Sequence, residues 1–330
     1  MPMLKGTGYI SGRVLKKASI REERVIIMPT IKDYLNIIKD TFDLERKTVE
    51  QIRQASAALA SQAELPPGTA VEKTTIAGLP SEWVRAANVP AENEQVILYF
   101  HGGGFFCCSC DTHRSLAAAI SAASGVRVLV VEYRLAPKHR YPAANEDALT
   151  AYRWLIAKGI AAKNIVIGGD SAGGGLTLMT LLSLRDAGDP LPAAAFMLSM
   201  WGDLINLDGE SYTSRANVDP ISTLRGTQIV ASYYIDPAAA KPPILSPIRQ
   251  NLQGLPPLLI HVGDHEILLS DSTRLAERAQ QAGVEVTLEV WDNMWHVFHQ
   301  FAPIVPEARQ AVDNIGKFVQ KHAGCLQQAY

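Results

Sequence analysis

Short apolar runs alternate with helical patterns through most of this chain, and that alternation restricts its fold more than any other feature. Such an order is typical of βαβ units, in which successive strands run parallel. The predicted strands are Gln95–Phe100, Val126–Tyr133, Asn164–Ile167, Ala194–Ser199, Leu258–Val262 and Val284–Trp291, with Glu72–Ile76 and Glu82–Ala87 as antiparallel edge strands. The predicted helices are Ser115–Ala123, Ala144–Ala157, Ala172–Asp186, Ser272–Ala282 and Pro306–His322. We therefore expect an α/β fold with a mostly parallel central sheet flanked by helices.

Two regions do not follow this alternation. Residues 1 to about 60 contain helical patterns at Ile31–Phe42 and Val49–Ala60. Residues Gly202–Asp236 are polar and aromatic without a clear strand. The chain has 330 residues, a length near the upper limit for one hydrophobic core. We predict a single domain in which the two irregular regions pack together as a helical cap over the sheet.

Charge and hydropathy exclude several classes of partner. The formal net charge is -2, so we expect neither nucleic acid binding nor stable association with an anionic membrane. No apolar run approaches the roughly 18 residues of a membrane span, and Met1–Ile10 lacks a signal-peptide pattern. The four cysteines are Cys107, Cys108, Cys110 and Cys325, a spacing that predicts neither a disulfide framework nor a zinc site. We expect a soluble cytoplasmic protein that needs no metal or cofactor.

The sequence GDSAG at residues 169–173 matches the pattern G-x-S-x-G, in which a serine occupies a sharp turn between a strand and a helix. The predicted strand Asn164–Ile167 leads into it and the predicted helix Ala172–Asp186 follows it. Such a turn strains the serine backbone and requires neighbours without bulky side chains, which the two glycines provide. A phosphate-binding loop is the alternative, but no G-x-x-x-x-G-K-[ST] follows. The motif predicts that Ser171 is a nucleophile.

A glycine run lies upstream, at HGGGF of residues 101–105, directly after the predicted strand Gln95–Phe100. Consecutive glycines leave their N–H groups uncovered, so a carbonyl oxygen can approach them closely. We expect the N–H groups of Gly103, Gly104 and Ala172 to form an oxyanion hole, in which one donor contributes about 3 kcal/mol to transition-state stabilisation. We expect His101 to be structural.

The general base and its acid should follow the nucleophile in the order serine, acid, histidine. His296 lies on the loop after the last predicted strand and is the expected base, with His299 as the weaker candidate. The acid should lie on the loop after Leu258–Val262. Glu266 is our choice there; Asp264 is more easily explained as a brace of the turn, and Asp271 as an N-cap or first-turn residue of the next helix.

These motifs together resemble one family, the esterases similar to hormone-sensitive lipase, also described as bacterial family IV of lipolytic enzymes, in the branch whose elbow reads GDSAGG. The resemblance covers most of the chain from about residue 65. Its motifs are HGGGFF at 101–106, DTHR at 111–114, VEYRLAPKHRYPAANEDA at 131–148, GGDSAGGGL at 168–176, Asp219-Pro220, Leu255-Pro256-Pro257, the loop Gly263–Asp271, and His296-Val297-Phe298. The resemblance implies the α/β-hydrolase fold.

Further expectations follow from the resemblance. It implies Glu266 as the acid, at a position where many members carry Asp. It implies a cap from about 1–50 and 202–236 over a catalytic core of about 65–201 and 237–330, and a homodimer formed through the edge strand Val284–Trp291. The cysteines after HGGG replace the aliphatic residues usual in the family. We interpret them as packing residues that could alter the pocket wall or the sensitivity to oxidation.

The motifs and the resemblance together predict a serine carboxylesterase without cofactor. A Ser171–His296–Glu266 triad would form an acyl-enzyme with a short- to medium-chain ester. We also expect Phe105, Asp170 and Trp201 to contact the substrate. An amidase or peptidase with the same triad is one alternative, because the fold does not fix the leaving group. A small-molecule receptor is another, although receptors related to this family have lost the histidine that is present here as His296.

Overall fold

The structure, a computed structural model, describes residues 30–91 and 93–323. In chain order the strands are β1 (Ala70–Ile76), β2 (Leu79–Arg85), β3 (Val96–Phe100), β4 (Arg127–Val131), β5 (Ile165–Asp170), β6 (Ala194–Leu198), β7 (Leu258–Gly263) and β8 (Val286–Trp291). The helices are α1 (Ile31–Thr41), α2 (Val49–Ala60), α3 (Cys110–Ser124), α4 (Ala143–Ala157), α5 (Ala172–Ala187), α6 (Ser211–Ser214), α7 (Leu224–Tyr234), α8 (Leu269–Gln281) and α9 (Pro306–His322). Cys325 and the part of the predicted cap that falls on residues 1–29 lie outside the described residues.

The strands form one eight-stranded sheet in the order β1-β2-β4-β3-β5-β6-β7-β8. The pairs β1·β2 and β2·β4 are antiparallel, and every other pair is parallel. This topology confirms the predicted α/β fold with a mostly parallel sheet. Because β3, β5, β6 and β7 are parallel neighbours, the loops that leave their carboxyl ends all meet at one edge of the sheet.

Helices cover both faces of the sheet. Every residue of the central strands β3, β5, β6 and β7 is buried. On β3, Ile97 packs in the cluster that contains the apolar residues of α3 and α9, whereas the next residue, Leu98, packs with those of α4, α5 and α8. Successive residues of a strand point to opposite faces, so a strand covered on both sides needs an unbroken apolar run, as the sequence shows here.

The helix α3 begins at Cys110, five residues before the start predicted at Ser115. At this start the N–H of Ser109 donates to Thr112 Oγ1 at 2.9 Å. The N–H of Cys110 donates to Glu132 Oε1 at 2.5 Å. The first turn is therefore held by polar side chains rather than by an apolar face, which is why apolar periodicity misses it.

Two helices from the predicted cap regions dock on the loop that follows β3, and one of them also contacts the loop that follows β4. From α2, Arg53 Nε donates to the carbonyl oxygen of Phe106 at 2.8 Å, and Arg53 Nη2 donates to that of Ala136 at 2.8 Å. From α7, the ring of Tyr234 stacks on Phe105 with a centroid separation of 4.2 Å. The division into cap and core stays a prediction, and these contacts place α2 and α7 against the same loop.

The strand β8 forms one edge of the sheet, and its residues are only partly buried or exposed. A dimer through this strand stays a prediction. No helix within residues 30–91 and 93–323 is both long and apolar enough to cross a membrane. In the same part of the chain, no three His, Cys, Asp or Glu side chains come together as metal ligands would.

Candidate active site

The serine of the GDSAG motif lies on a sharp turn between β5 and α5. Ser171 has φ 53° and ψ −120°, a conformation that side-chain-bearing residues avoid and that costs about 1–3 kcal/mol. The turn is held by the N–H of Ser171, which donates to Leu198 O at 2.8 Å, and by Ser171 O, which accepts from the Trp201 N–H at 3.0 Å. Bonds to the neighbouring strand β6 and the loop after it therefore keep the strained turn in place.

The glycines of the motif give the turn its room. A Cβ on Gly173 would meet the backbone oxygen of Phe100, and a Cβ on Gly169 would meet that of Gly173. Backbone atoms of a central strand cannot move aside as a flexible side chain can. The glycines are therefore required by close backbone contact between the elbow and β3, in agreement with the sequence prediction.

The structure brings His296 to Ser171 across 125 positions of sequence. His296 Nε2 lies 2.9 Å from Ser171 Oγ, and His296 Nδ1 lies 2.9 Å from Glu266 Oε2. The histidine lies on the loop after β8, and its side chain is 14% exposed. The three predicted residues therefore form one continuous hydrogen-bonded series. A proton can pass from the serine to the imidazole along this series, and the carboxylate faces the charge that results.

Glu266 is fully buried, and both its oxygens have partners. Glu266 Oε1 accepts hydrogen bonds from the Ser199 hydroxyl at 2.7 Å and from the Gly263 N–H at 2.6 Å, which leaves Oε2 for His296. A carboxylate fixed in this way orients the imidazole so that Nδ1 donates and Nε2 accepts the serine proton.

The surroundings of His296 make it a stronger base than an isolated histidine. Burial opposes protonation and lowers the pKa of His296, but the hydrogen bond and negative charge of Glu266 outweigh burial, and the charge of Asp219 adds to their effect. The net result is a pKa of His296 raised above its ordinary value of 6.5.

The two other carboxylates of the loop have structural contacts. Asp264 Oδ1 accepts from the Asn293 N–H at 2.6 Å and so braces the turn after β8. Asp271 lies in the first turn of α8, where its side chain accepts from the Gly202 N–H at 2.8 Å. Burial raises the pKa of Asp271 to about 7. Neither carboxylate is hydrogen-bonded to His296.

The alternative base, His299, is buried within the 3-10 helix Phe298–Phe301. Its ring stacks on that of His261 with centroids 5.4 Å apart, and its Nε2 lies 3.2 Å from His261 Nδ1. Burial moves the pKa of His299 well below 6.5. His296 occupies the position beside Ser171, whereas His299 packs against His261 and Phe298.

The HGGG loop offers N–H donors at the elbow. Gly103 and Gly104 have φ of 98° and 59°, values that favour glycine. Within the described part of the chain, neither the Gly103 N–H nor the Gly104 N–H donates to another protein group. Ala172 is the first residue of α5, so the positive end of the helix dipole reaches the same place. This arrangement can stabilise an oxyanion that forms on a substrate bonded to Ser171.

Asp170 has a different position from the one predicted for a residue that contacts substrate. Its carboxylate is buried, where Oδ1 accepts from the Tyr99 hydroxyl at 2.7 Å and from the Gly102 N–H at 3.1 Å, and Oδ2 lies 3.2 Å from His113 Nε2. With both oxygens engaged inside the protein, Asp170 anchors the glycine loop to the strand β5. We correct the prediction accordingly.

His113 contacts Asp170 in this buried cluster. In the sequence it is noted only as part of the DTHR motif. Burial lowers the pKa of His113, but the charge and hydrogen bond of Asp170 outweigh burial and raise this pKa to about 9. The same pair lowers the pKa of Asp170 below 3.8. The two side chains therefore form a buried ion pair at neutral pH.

His101, expected to be structural, is fully buried, with its ring stacked on Tyr133 at a centroid distance of 4.3 Å. Burial lowers the pKa of His101 to about 3, so the ring is neutral. The expected substrate contacts Phe105 and Trp201 are buried next to each other with ring centroids 6.3 Å apart. The structure brings both aromatic residues to the elbow but exposes neither, and their contact with substrate stays a proposal.

Ser199 is a site residue that the sequence analysis missed, because it was interpreted only as the last residue of a strand. It follows β6 with φ 49°. Besides donating to Glu266, its hydroxyl accepts from the Val297 N–H at 3.0 Å. Ser199 thus ties the acid loop to the histidine loop. No local sequence pattern marks a serine for this role.

Comparison with known proteins gives consistent similarities. A family profile described as an α/β-hydrolase fold matches residues 97–300. An acetyl-hydrolase of Streptomyces hygroscopicus is 40% identical over 260 residues, which cover 79% of this chain and 85% of the relative. An esterase of Acinetobacter venetianus is 35% identical over 253 residues, which cover 76% of this chain and 82% of the relative.

Solved structures show the same likeness. The crystal structure of an esterase from the bacterial hormone-sensitive lipase family is 41% identical, with a TM-score of 0.84 over 90% of this chain and 100% of that one. The structure of EstE5 soaked with p-nitrophenyl butyrate is 40% identical, with a TM-score of 0.81 and the same coverage. The family profile, over residues 97–300, includes Ser171, Glu266 and His296.

Proposed function

The chain belongs to the α/β-hydrolase family, among the carboxylesterases related to hormone-sensitive lipase, and we propose that it hydrolyses an ester through an acyl-enzyme formed on Ser171. The observation that supports this proposal is the hydrogen-bonded series from Glu266 through His296 to Ser171, with contacts of 2.9 Å at both nitrogens of His296. A serine alone is a weak nucleophile at neutral pH, and a histidine in contact with it removes that limitation.

In the first half of the reaction, Ser171 Oγ bonds to the ester carbonyl carbon as its proton moves to His296 Nε2. The carbonyl oxygen becomes an oxyanion, which the N–H groups of Gly103, Gly104 and Ala172 stabilise. The buried carboxylate of Glu266 stabilises the imidazolium that has formed. When the tetrahedral intermediate collapses, the carbon–oxygen bond to the alcohol breaks, and the proton on His296 Nε2 goes to the leaving oxygen.

In the second half, water takes the place of the alcohol. His296 accepts a proton from the water as its oxygen bonds to the acyl carbon, and the same oxyanion donors act again. Collapse of this intermediate releases the carboxylic acid and returns the proton to Ser171 Oγ. The free serine and neutral histidine are regenerated, so the reaction consumes one ester and one water.

We expect short- to medium-chain acyl esters as substrates. A Cβ on Gly104 would lie 2.5 Å from Val230 Cγ1 on α7, so a cap side chain stands directly over the oxyanion loop and limits the space there. One relative carries the name acetyl-hydrolase, and EstE5 was soaked with a butyrate ester. Both names agree with a small acyl group.

Hydrolysis of p-nitrophenyl esters from acetate to palmitate tests the proposal. We expect activity to peak at short acyl chains and to fall below detection in Ser171→Ala and His296→Ala. Ser61→Ala, which changes an exposed serine after α2, is the matched control and should keep full activity. A wild type that is inert on every ester, or a Ser171→Ala variant as fast as the wild type, would overturn the proposal.

A further inference from the structure

Two neighbouring thiols lie against the oxyanion loop, and the catalytic scheme does not use them. Cys107 is fully buried and Cys108 is half-buried, and both are free. Their sulfur atoms are 3.9 Å apart. This distance is close enough for one sulfur to reach the other through side-chain rotation, since the two residues share a peptide bond.

The Cys107 thiol supports the peptide group that presents one oxyanion donor. Cys107 Sγ donates to the carbonyl oxygen of Gly103 at 3.2 Å. The same oxygen accepts from the N–H groups of Phe106 and Cys107, each at 3.0 Å. The Gly103 carbonyl and the Gly104 N–H belong to one planar peptide group, so whatever holds the carbonyl also sets the direction of that N–H.

Cys108 packs against the same glycine from another direction. A Cβ on Gly103 would lie 2.8 Å from Cys108 Cβ. Cys108 has φ 69°, a backbone conformation that favours glycine over any residue with a side chain. The backbone conformation therefore gives no reason for a cysteine at position 108. What distinguishes this residue from a glycine is its thiol group.

The surroundings distinguish the two sulfurs. Contact with the Cys107 side chain lowers the pKa of Cys108 more than burial raises it, and the positive charge of His113 lowers it further. Burial raises the pKa of Cys107 well above 9.0. Cys108 is therefore the more readily deprotonated of the two residues, and the thiolate is the reactive form of cysteine. Cys107 remains a thiol beside it.

We propose that Cys107 and Cys108 form a redox modification site at which a hydroperoxide closes a disulfide and switches the esterase off. The Cys108 thiolate attacks the peroxide, takes one oxygen as sulfenic acid and releases hydroxide or alkoxide. The Cys107 thiol then attacks that sulfur, so that a sulfur–sulfur bond forms and water leaves. Two thiols are oxidised and one hydroperoxide is reduced.

The disulfide disturbs the oxyanion hole. The sulfur atoms must close from 3.9 Å to about 2.05 Å, and Cys107 then has no S–H to donate to Gly103 O. The Gly104 N–H loses part of its support, and activity falls. The Cα atoms across one peptide bond are only about 3.8 Å apart, closer than in unstrained disulfides, so a thiol reductant should reverse the change readily. This consequence rests on the oxyanion hole of the proposed function.

The experiment treats the full-length protein with hydrogen peroxide and follows two quantities. We expect p-nitrophenyl butyrate hydrolysis to fall at least fivefold and to recover with dithiothreitol, with the tryptic peptide of residues 86–114 losing two hydrogens in mass over the same time course. Cys108→Gly removes the thiol and suits the backbone. It should keep its initial activity, resist peroxide and show no such mass change.

Cys110 provides the matched control because it lies in the same peptide. Its thiol donates to Val130 O at 3.3 Å, and burial raises its pKa. Cys110→Ser should lose activity and two hydrogens as the wild type does. An unchanged peptide mass in the wild type, or equal inactivation of Cys108→Gly, would overturn the proposal. A wild type without esterase activity contradicts the proposed function alone, since the peptide mass still decides whether the disulfide forms.

Discussion

The hydroxyl of Ser199 donates a hydrogen bond to Glu266 Oε1 at 2.7 Å, although the two residues are 67 positions apart in sequence. The same hydroxyl accepts from the N–H of Val297, the residue after His296, at 3.0 Å. One small side chain that follows β6 therefore contacts both Glu266 and the loop that carries His296. The hydroxyl of Ser199 is fully buried, and through these two bonds it can control the distance between Glu266 and His296.

Ser199→Ala should lower kcat by roughly ten- to a hundredfold, because a hydrogen bond to a charged group contributes about 1.5–3 kcal/mol. KM should stay within about twofold, since the substrate is not contacted. Steady-state kinetics with p-nitrophenyl butyrate measure both. Ser124→Ala is the control, because that buried hydroxyl bonds only within and just after α3. It should leave kcat unchanged, and an equal loss of kcat in both variants would refute a positioning role for Ser199.

Glu266 and Asp264 should differ sharply when each is changed to Ala. Glu266→Ala removes the partner of His296 and should lower kcat by on the order of 10³–10⁴-fold. Asp264→Ala removes the brace to Asn293 and a 3.9 Å contact with His265 Nε2, neither of which involves His296, so we expect a loss of about 1 kcal/mol in the free energy of unfolding and near-normal kcat. Kinetics and chemical denaturation of both variants separate these effects. The reverse ranking of kcat would identify Asp264 as the acid.

The pH dependence of activity should report the raised pKa of His296. The base must be neutral to accept the serine proton, so kcat/KM falls on the acid side as His296 is protonated. Because Glu266 raises this pKa above 6.5, the fall should begin at a higher pH than for an ordinary histidine. Glu266→Gln leaves burial dominant and should move the acid limb to lower pH, besides lowering kcat. An acid limb at the same pH in both proteins would contradict this assignment.

The His113–Asp170 pair should make stability depend on pH. The pKa of His113 is raised from 6.5 to about 9, so its contribution to stability is full below about 6.5 and is lost as pH rises through about 9. The destabilisation caused by His113→Gln should therefore be largest below about pH 6.5 and shrink as the pH rises through about 9. Urea denaturation across this window measures it. In an Asp170→Asn background the effect of His113→Gln should lose this dependence, and a dependence that survives there would exclude the pair as its cause.

The close contact between the elbow and β3 should make Gly173 intolerant of any side chain. A Cβ there meets the backbone oxygens of Phe100 and His101, so Gly173→Ala should cost on the order of 3 kcal/mol of unfolding free energy. Gly159→Ala is the comparison. Nothing lies within 4 Å of that Cβ, and its φ of 86° alone should cost about 1 kcal/mol. Equal costs in thermal unfolding would show that β3 can shift to accommodate the methyl group.

Sequence patterns predict best those features that depend on residues close together in the chain. The strand–turn–helix context of GDSAG identified the turn at Ser171, whose φ of 53° the structure shows. The apolar runs of β3, β5, β6 and β7 identified buried parallel strands, since both periodicity and burial are local properties of such runs. Apolar periodicity predicts the start of α3 five residues too late, because polar side chains rather than an apolar face hold its first turn.

Asp170 shows the limit of this reasoning. Its position next to Ser171 in the motif predicts contact with the substrate. Successive residues at the end of a strand point in opposite directions, so a neighbour of the nucleophile can face the interior. The structure turns Asp170 inward to Tyr99, Gly102 and His113.

The type of fold, the elbow and the glycine loop follow from the sequence, because each of these depends on residue types at short spacing. Glu266 and His296 lie 95 and 125 positions after Ser171, so their prediction depended on the order serine, acid, histidine and on the family resemblance. Tertiary structure alone decided that Ser199 holds Glu266 and that His113 pairs with Asp170. Hydrogen bonds act over about 3 Å. Groups from separate loops come that close only after the parallel strands have brought their carboxyl ends to one edge of the sheet.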